Sequence, residues 1–278
     1  MGFCCCASHS PRKIGMKDIP ELSVPTSREY KVMLDSKMFE RKASLASFQG
    51  ELLESLHPFL GTKRPKKVFA LDAQHEVSFL DTKDFEINSH RLLLRERVIL
   101  GKKRQVELTL KCRSPDYCFA LGADLRTEKG LKSNPKLEED ICPPFVSRFS
   151  KSSTVKLDAP PPTNIKQASK VFAVLSQLDR GGPESDLVAV NGLRMFEEVF
   201  IGPTVEIDNI KAGFALILWS RGRRGRKAAV ELSFKIKLVN GSVSQSTALA
   251  FMEVFESIQR MDWCLPSAMT KTAYIYRA

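Results

Sequence analysis

Histidine is scarce in this chain, with only His9, His57, His75 and His90, and none shares a ligand spacing with the seven cysteines. That excludes a zinc site of the usual Cys/His type. The cysteines are the adjacent run Cys4-Cys5-Cys6 and the scattered Cys112, Cys118, Cys142 and Cys264, with no CxxC pair. A disulfide scaffold is therefore excluded, and a reduced, cytoplasmic setting is expected. No run approaches the roughly 18 apolar residues of a membrane helix, and no apolar stretch near the N-terminus makes a secretory signal. P-loop, dinucleotide-binding and aromatic RNA-binding signatures are missing too, which removes those routes to phosphate recognition.

Acid is also in short supply. Against 43 Lys and Arg the 278 residues carry 32 Asp and Glu, a net charge of +11. Such an excess points to a polyanionic partner: phosphates, nucleic acid or an acidic membrane face. Gly2 followed by Cys4-Cys6 suggests N-terminal lipid anchoring, although the myristoylation pattern wants Ser or Thr where Cys6 stands. The length suits one large β-rich domain or two small ones.

What the chain does have is alternation. Val106 to Arg113 and Val230 to Lys237 place a polar or ionic residue at every second position and an apolar one between. Period two means a strand with two unlike faces. Ser27, Glu29 and Lys31, then Arg95 and Arg97, then Arg126 and Glu128, repeat the same spacing of charged and polar groups. Several such strands can line one shared polar cavity in a closed barrel, which would draw Arg113 and Lys235 into the lining with the rest. The alternative for each strand alone is a solvated face.

Along the chain, residues 1–25 read as a flexible leader with Pro11, Pro20 and Pro25. A strand is predicted from Arg28 to Leu34, and Leu45, Phe48, Leu52, Leu53 and Leu56 predict a helix ended by Pro58. Val68–Leu71 and Glu76–Leu80 read as short strands, and Leu92–Leu100 with Gln105–Arg113 as a hairpin. The prolines of 131–184 predict an irregular or helical insertion joining halves at about 26–130 and 185–278, with a helix over Ile165–Leu178. Strands follow near Leu187–Val190, Arg194–Ile201, Thr204–Ile210, Phe214–Ser220 and Ala228–Leu238. Arg221 to Lys227 reads as a basic hairpin loop, a solvated tip in preference to a contact for nucleic acid or acidic lipid; Thr247–Met261 reads as an amphipathic helix and Trp263–Tyr276 as a last strand.

Phe79-Leu80-Asp81-Thr82, Leu94-Arg95-Glu96-Arg97 and Leu108-Thr109-Leu110-Lys111 resemble, in order, the "YFDT … LRIR … LTLK" succession of the CYTH superfamily, the triphosphate tunnel proteins. Val230-Glu231-Leu232-Ser233 is similar to that family's acidic "EIELE" strand, and Pro266 to Tyr274 with Lys271 to its terminal "SKY" strand. The resemblance runs over about residues 26–276. It implies an α+β fold: one antiparallel β-barrel tunnel of about eight strands with helices packed outside, within a single domain over 26–278. It also implies that basic side chains grip a triphosphate while carboxylates hold Mg²⁺ or Mn²⁺.

Carried over position by position, the resemblance makes Lys31, Arg95, Arg97, Lys111, Arg126 and Lys271 phosphate contacts, beside the Arg113 and Lys235 of the alternating strands. Arg supplies a planar fork and Lys a point charge for phosphate oxygens. Glu29, Asp208 and Glu231 become candidate metal ligands with Glu206 in reserve, and Glu29 and Glu231 the catalytic carboxylates. Here the chain departs from the pattern. Ser27 and Ser233 stand where glutamates are expected, and a rival alignment of the acidic strand through Asp208 would place Leu216 and Leu218 there. Two functions stay open: a metal-dependent hydrolase of a triphosphate-containing substrate, and a non-catalytic polyphosphate- or nucleotide-binding protein with a degenerate metal site. Outward-facing basic residues would instead favour RNA binding.

Overall fold

A computed structural model describes residues 23–41, 44–60, 68–101, 105–178, 184–266 and 270–277. The expected leader over 1–25 and the Gly2 and Cys4–Cys6 anchor lie almost wholly or wholly outside them. Nine strands close into a barrel: β1 (Ser27–Leu34), β2 (Ala70–Asp81), β3 (Leu92–Leu100), β4 (Gln105–Ser114), β5 (Ser133–Cys142), β6 (Val146–Leu157), β7 (Val188–Ile207), β8 (Ile210–Ser220) and β9 (Lys227–Lys237). They run in the order β1-β5-β6-β4-β3-β2-β7-β8-β9 and back to β1. Every pairing is antiparallel except β1 with β5, where Ser27 meets Glu138 in parallel register. The helices are α1 (Ser44–Leu56), α2 (Glu86–Ser89), α3 (Tyr117–Gly122), α4 (Ile165–Ser169), α5 (Gln245–Gln259) and α6 (Lys271–Arg277). None of them is long and apolar enough to cross a membrane.

Alternation sorts the strand residues onto two faces. The even residues of β1, β8 and β9, among them Tyr30, Val32, Phe214, Leu232 and Phe234, face outward and are buried beneath α1 and α5. Phe48, Leu52 and Leu56 of α1 and Phe251, Phe255 and Ile258 of α5 cover them, and Tyr30 stacks on Phe234 at 4.5 Å. Each fully buried side chain of this size contributes about 1.5–3 kcal/mol, so this layer fixes which face of β1 and β9 turns inward. A second outer layer joins Leu92, Leu94, Leu108, Leu110 and Val155 to Ile87, Ile165, Phe172 and Leu175.

The closed barrel with helices outside agrees with the expectation, but several elements differ. The segment 131–184 is not an irregular link: it contributes β5 and β6, the strands between β1 and β4. Pro135 sits before the β1 pairing begins at Glu138, where one side of β5 has no strand partner, and Pro143-Pro144 form the turn to β6. The predicted helix over Ile165–Leu178 is a short α4 followed by a 3-10 turn at Ala173–Gln177. The short runs near 68–80 and 187–210 merge into two long strands. β7 passes through Asn191 and Gly192 at positive φ and through a register shift at Gly202-Pro203. At Gly202 a Cβ would lie 2.3 Å from the Phe69 ring, so only glycine lets the ring pack there.

Among the described residues, the expected last strand over Trp263–Tyr276 is absent. Tyr274, Ile275 and Tyr276 have strand propensity, yet 271–277 coil into α6, because tertiary packing overrides a weak local preference. Ile275 is buried with Met33, Val77, Phe79, Leu93, Met195, Trp219 and Ala229. These lie on the inward faces of their strands, so α6 plugs one end of the barrel. Asn191 donates to the Ile275 carbonyl at 2.8 Å, and Tyr276 Oη reaches Asp81 at 3.4 Å.

Candidate functional site

Inside the barrel, next to the α6 plug, lies a layer of charged side chains. On β1, Glu29 and Lys31 turn inward together, with Oε2 and Nζ 3.1 Å apart. From β5, Asp140 reaches Lys31 Nζ at 2.8 Å through one oxygen. Its other oxygen accepts from Arg113 and from Ser150 Oγ, both at 2.8 Å, and stands 3.7 Å from Lys111 Nζ. Lys235 on β9 bridges Glu138 at 2.7 Å and Glu29 at 3.6 Å. Ser27 Oγ also donates to Glu138.

A second group centres on Glu197 of β7, which is 1% exposed. Its oxygens meet Arg97 at 3.1 Å, His75 Nδ1 at 2.9 Å and the Trp219 indole N–H at 2.8 Å. Lys271 of α6 stands 3.9 Å from Glu197 and 3.1 Å from Glu231, over the Trp219 ring at 5.2 Å. Arg95, one residue pair along β3, donates to Thr109 Oγ1 at 3.3 Å. The Nε atoms of Arg95 and Arg97 are buried and have no hydrogen-bond partner.

These contacts set the charges. Burial opposes ionisation of Glu29, and Lys31 and Lys235 overcome it, holding its carboxyl down at about 2. Asp140 is likewise well below the usual range, burial being outweighed by Lys31, Lys111 and Arg113. Lys31 loses to burial but gains more from Asp140, Glu29 and Glu231, so its pKa is raised. Lys111 has the opposite fate: burial is the largest effect, Asp140 opposes it without overcoming it, and Arg113 and Lys31 repel it, so its pKa falls to about 7. Burial and the neighbouring Arg97 lower Arg95 to about 10.

Seven of the eight sequence-predicted phosphate contacts (Lys31, Arg95, Arg97, Lys111, Arg113, Lys235 and Lys271) therefore lie on the inner side of the barrel or on its plug. Arg126 does not. It sits on a loop with its side chain 85% exposed, paired with Asp124 at 2.7 Å. The two-apart spacing of Arg126 and Glu128 belongs to no named strand; Thr127 between them makes one isolated bridge to Phe172. Glu29 and Glu231 are interior, but Asp208 is not. With Asn209 it forms the β7–β8 turn, both residues at positive φ, and it accepts from Thr247 of the outer helix α5 at 2.7 Å. An Asp-Asn pair suits such a hairpin turn, which accounts for an acid at that position. Glu206 faces solvent beside Lys211.

Sequence reasoning missed Glu138, Asp140, Glu197 and His75. A signal existed for the first two: Glu138 and Asp140 are spaced two apart, as on the other lining strands. Glu139 between them hid it, because it faces outward to bind Arg28 at 2.7 Å and breaks the alternation of polarity.

The acids do not fit a divalent metal. Among the described residues no three His, Cys, Asp or Glu groups converge on one point. Glu29, Glu138, Asp140, Glu197 and Glu231 are each already matched to an ammonium or guanidinium. A cavity of about 470 Å³ lies elsewhere, outside the barrel wall between Leu92, Cys112, Phe119, Val174 and Leu178.

No protein-family model and no curated protein matches the chain. Among solved structures it is similar to a candidate adenylyl cyclase from Hippeastrum described as having a dominant triphosphatase activity. The identity is 15%, over 91% of this chain and 95% of that one, with a TM-score of 0.47. It is also similar to a candidate adenylate cyclase from Bacillus halodurans, at 13% identity over 89% and 95% of the two chains and a TM-score of 0.41. At such identities and TM-scores, neither an activity nor a ligand passes from those proteins to this one.

Proposed function

We propose that the barrel interior binds a chained phosphate, either inorganic triphosphate or the triphosphate end of an organic or nucleoside molecule. One observation carries the reading: Arg95 and Arg97 hold buried Nε donors with no partner, and Lys111 beside them has its nearest acid only at 3.7 Å. An unmet buried donor costs about 1–3 kcal/mol, more when charged, so these groups gain from an incoming anion. Phosphate supplies several acceptor oxygens in one ligand, matching two guanidinium forks and an ammonium. The resemblance of Leu94 to Arg97 and Leu108 to Lys111 to the triphosphate tunnel motifs supports the same class of ligand. Calorimetry with sodium tripolyphosphate tests it: saturable binding that is lost in Arg95→Met with Arg97→Met supports the reading, and no heat with any triphosphate ends it.

Hydrolysis of that ligand is a second reading. In its favour, Glu29 and Glu231 both flank Lys31 inside the barrel, beside the proposed phosphate contacts. Phosphate release from tripolyphosphate, ATP and thiamine triphosphate, with and without Mg²⁺ or Mn²⁺, tests it. An inert protein that nevertheless binds would leave only the first.

A further inference from the structure

We infer that the barrel takes its phosphate ligand as the free anion, without a divalent metal ion, because the Lys31 ammonium stands at the centre of the carboxylates a metal would need. The inference rests on the phosphate-binding reading above and adds the form in which the ligand arrives.

Asp140 and Glu29 approach Lys31 Nζ at 2.8 and 3.1 Å, and Glu231 adds its charge from the neighbouring strand. Lys31 is opposite Ser233 in the β1–β9 register, and its own strand begins with the buried Ser27. Both serines stand on the inward face where a carboxylate would add oxygens and negative charge. The other acids are already paired with cations through one oxygen each: Asp140 Oδ2 with Arg113 and Ser150, Glu231 Oε1 with Lys271, and Glu138 Oε1 with Lys235. Magnesium requires near-octahedral oxygen ligands at about 2.0–2.1 Å and sheds water reluctantly. To gather them here it would have to expel a tethered ammonium from short, partly buried ion pairs. The fixed cation already neutralises the acids, so the phosphate contacts face an anion that brings no metal of its own.

The test is calorimetry of the full chain with sodium tripolyphosphate, first in EDTA and then in excess Mg²⁺. Binding in EDTA, weakened several-fold by Mg²⁺ as the metal sequesters the ligand, is the expected result. Binding seen only with Mg²⁺ or Mn²⁺, or about tenfold tighter with them, overturns the inference while leaving the phosphate reading intact. Absence of binding in both conditions instead defeats the phosphate reading itself. A Mn²⁺ titration followed by electron paramagnetic resonance gives an independent readout. The wild-type protein and Lys31→Arg leave the free Mn²⁺ signal unchanged, whereas Lys31→Met, with its carboxylates released, depletes it. Depletion by the wild-type protein overturns the inference even if Lys31→Met fails to fold.

Discussion

Lys31 and Asp140, 109 residues apart in sequence, meet at 2.8 Å inside the barrel. The contact requires the parallel pairing of β1 with β5, which sets Glu29 opposite Asp140 and brings an acid from the chain's middle against its first strand. Asp140 thereby becomes the counter-ion of Lys31, Lys111 and Arg113 at once.

Among the described residues, removing that counter-ion leaves Lys111 and Arg113 without their acid and Lys31 with Glu29 alone at ion-pair distance. Asp140→Asn is predicted to lose about 3–5 kcal/mol of stability, the usual cost of breaking a buried ion pair. Tripolyphosphate should restore part of it, because the ligand replaces the missing charge. Urea unfolding of the variant with and without ligand checks both. A variant as stable as wild type would show that Asp140 is solvated rather than paired.

Arg95 is predicted to act on the ligand more than on the fold, whereas Arg97 acts on both because it also answers the buried Glu197 at 3.1 Å. Replacing either with Met removes charge-assisted hydrogen bonds worth about 1.5–3 kcal/mol each and should weaken triphosphate binding roughly tenfold or more. Thermal stability should move little for Arg95→Met, since its hydrogen bond among the described residues is a 3.3 Å contact to Thr109 and no acid stands within ion-pair distance of it there. Calorimetry and a melting curve on the same sample separate the two effects.

The depressed pKa of Lys111 gives a pH signature. An unfolded chain carries this lysine charged up to about 10.5, whereas the folded protein releases the proton near 7. Between those values the unfolded state binds more protons, so this residue makes stability rise with pH across roughly 7 to 10. Lys111→Met is predicted to be more stable than wild type at pH 7 and to lose that slope. Ligand binding at pH 7.5 should take up a proton in wild type and not in the variant. Chemical denaturation at pH 7 and pH 9 measures the first, and calorimetry in two buffers of different ionisation enthalpy the second.

The plug makes a packing prediction. Ile275 is 1% exposed among Phe79, Trp219 and Met33, so Ile275→Ala should cost about 2–5 kcal/mol. If the unfolding midpoint did not change, α6 would not be packed in the barrel end.

Much of the barrel was legible because one face of each lining strand meets a helix and the other a cavity. β4, β9 and α5 follow directly from spacing in Val106 to Arg113, Val230 to Lys237 and the Phe251/Phe255 stripe, and β1, β3 and α1 from Glu29/Lys31, Arg95/Arg97 and Phe48/Leu52/Leu56. β5 was hidden because its two faces are both acidic over Glu138-Glu139-Asp140, and polarity no longer reports direction when an outward acid pairs with Arg28. α6 was hidden because its environment, not its residues, decides between helix and strand. Lys31, Arg95, Arg97 and Lys111 could be read from motif and alternation together with Glu29, while the pairing of Asp140 and Glu197 with them could not, since those acids come from strands distant in sequence. Asp208 illustrates the converse: an acid chosen by motif proved to be serving a turn.

The central claim is that these inward cations exist to hold a phosphate chain. Its most direct measurement is a titration of the wild-type chain with sodium tripolyphosphate in EDTA, alongside the Arg95→Met/Arg97→Met double variant. Saturable binding to the wild type and at least about a hundredfold loss in the double variant is the predicted result. Equal binding by both, or none by the wild type, would contradict it.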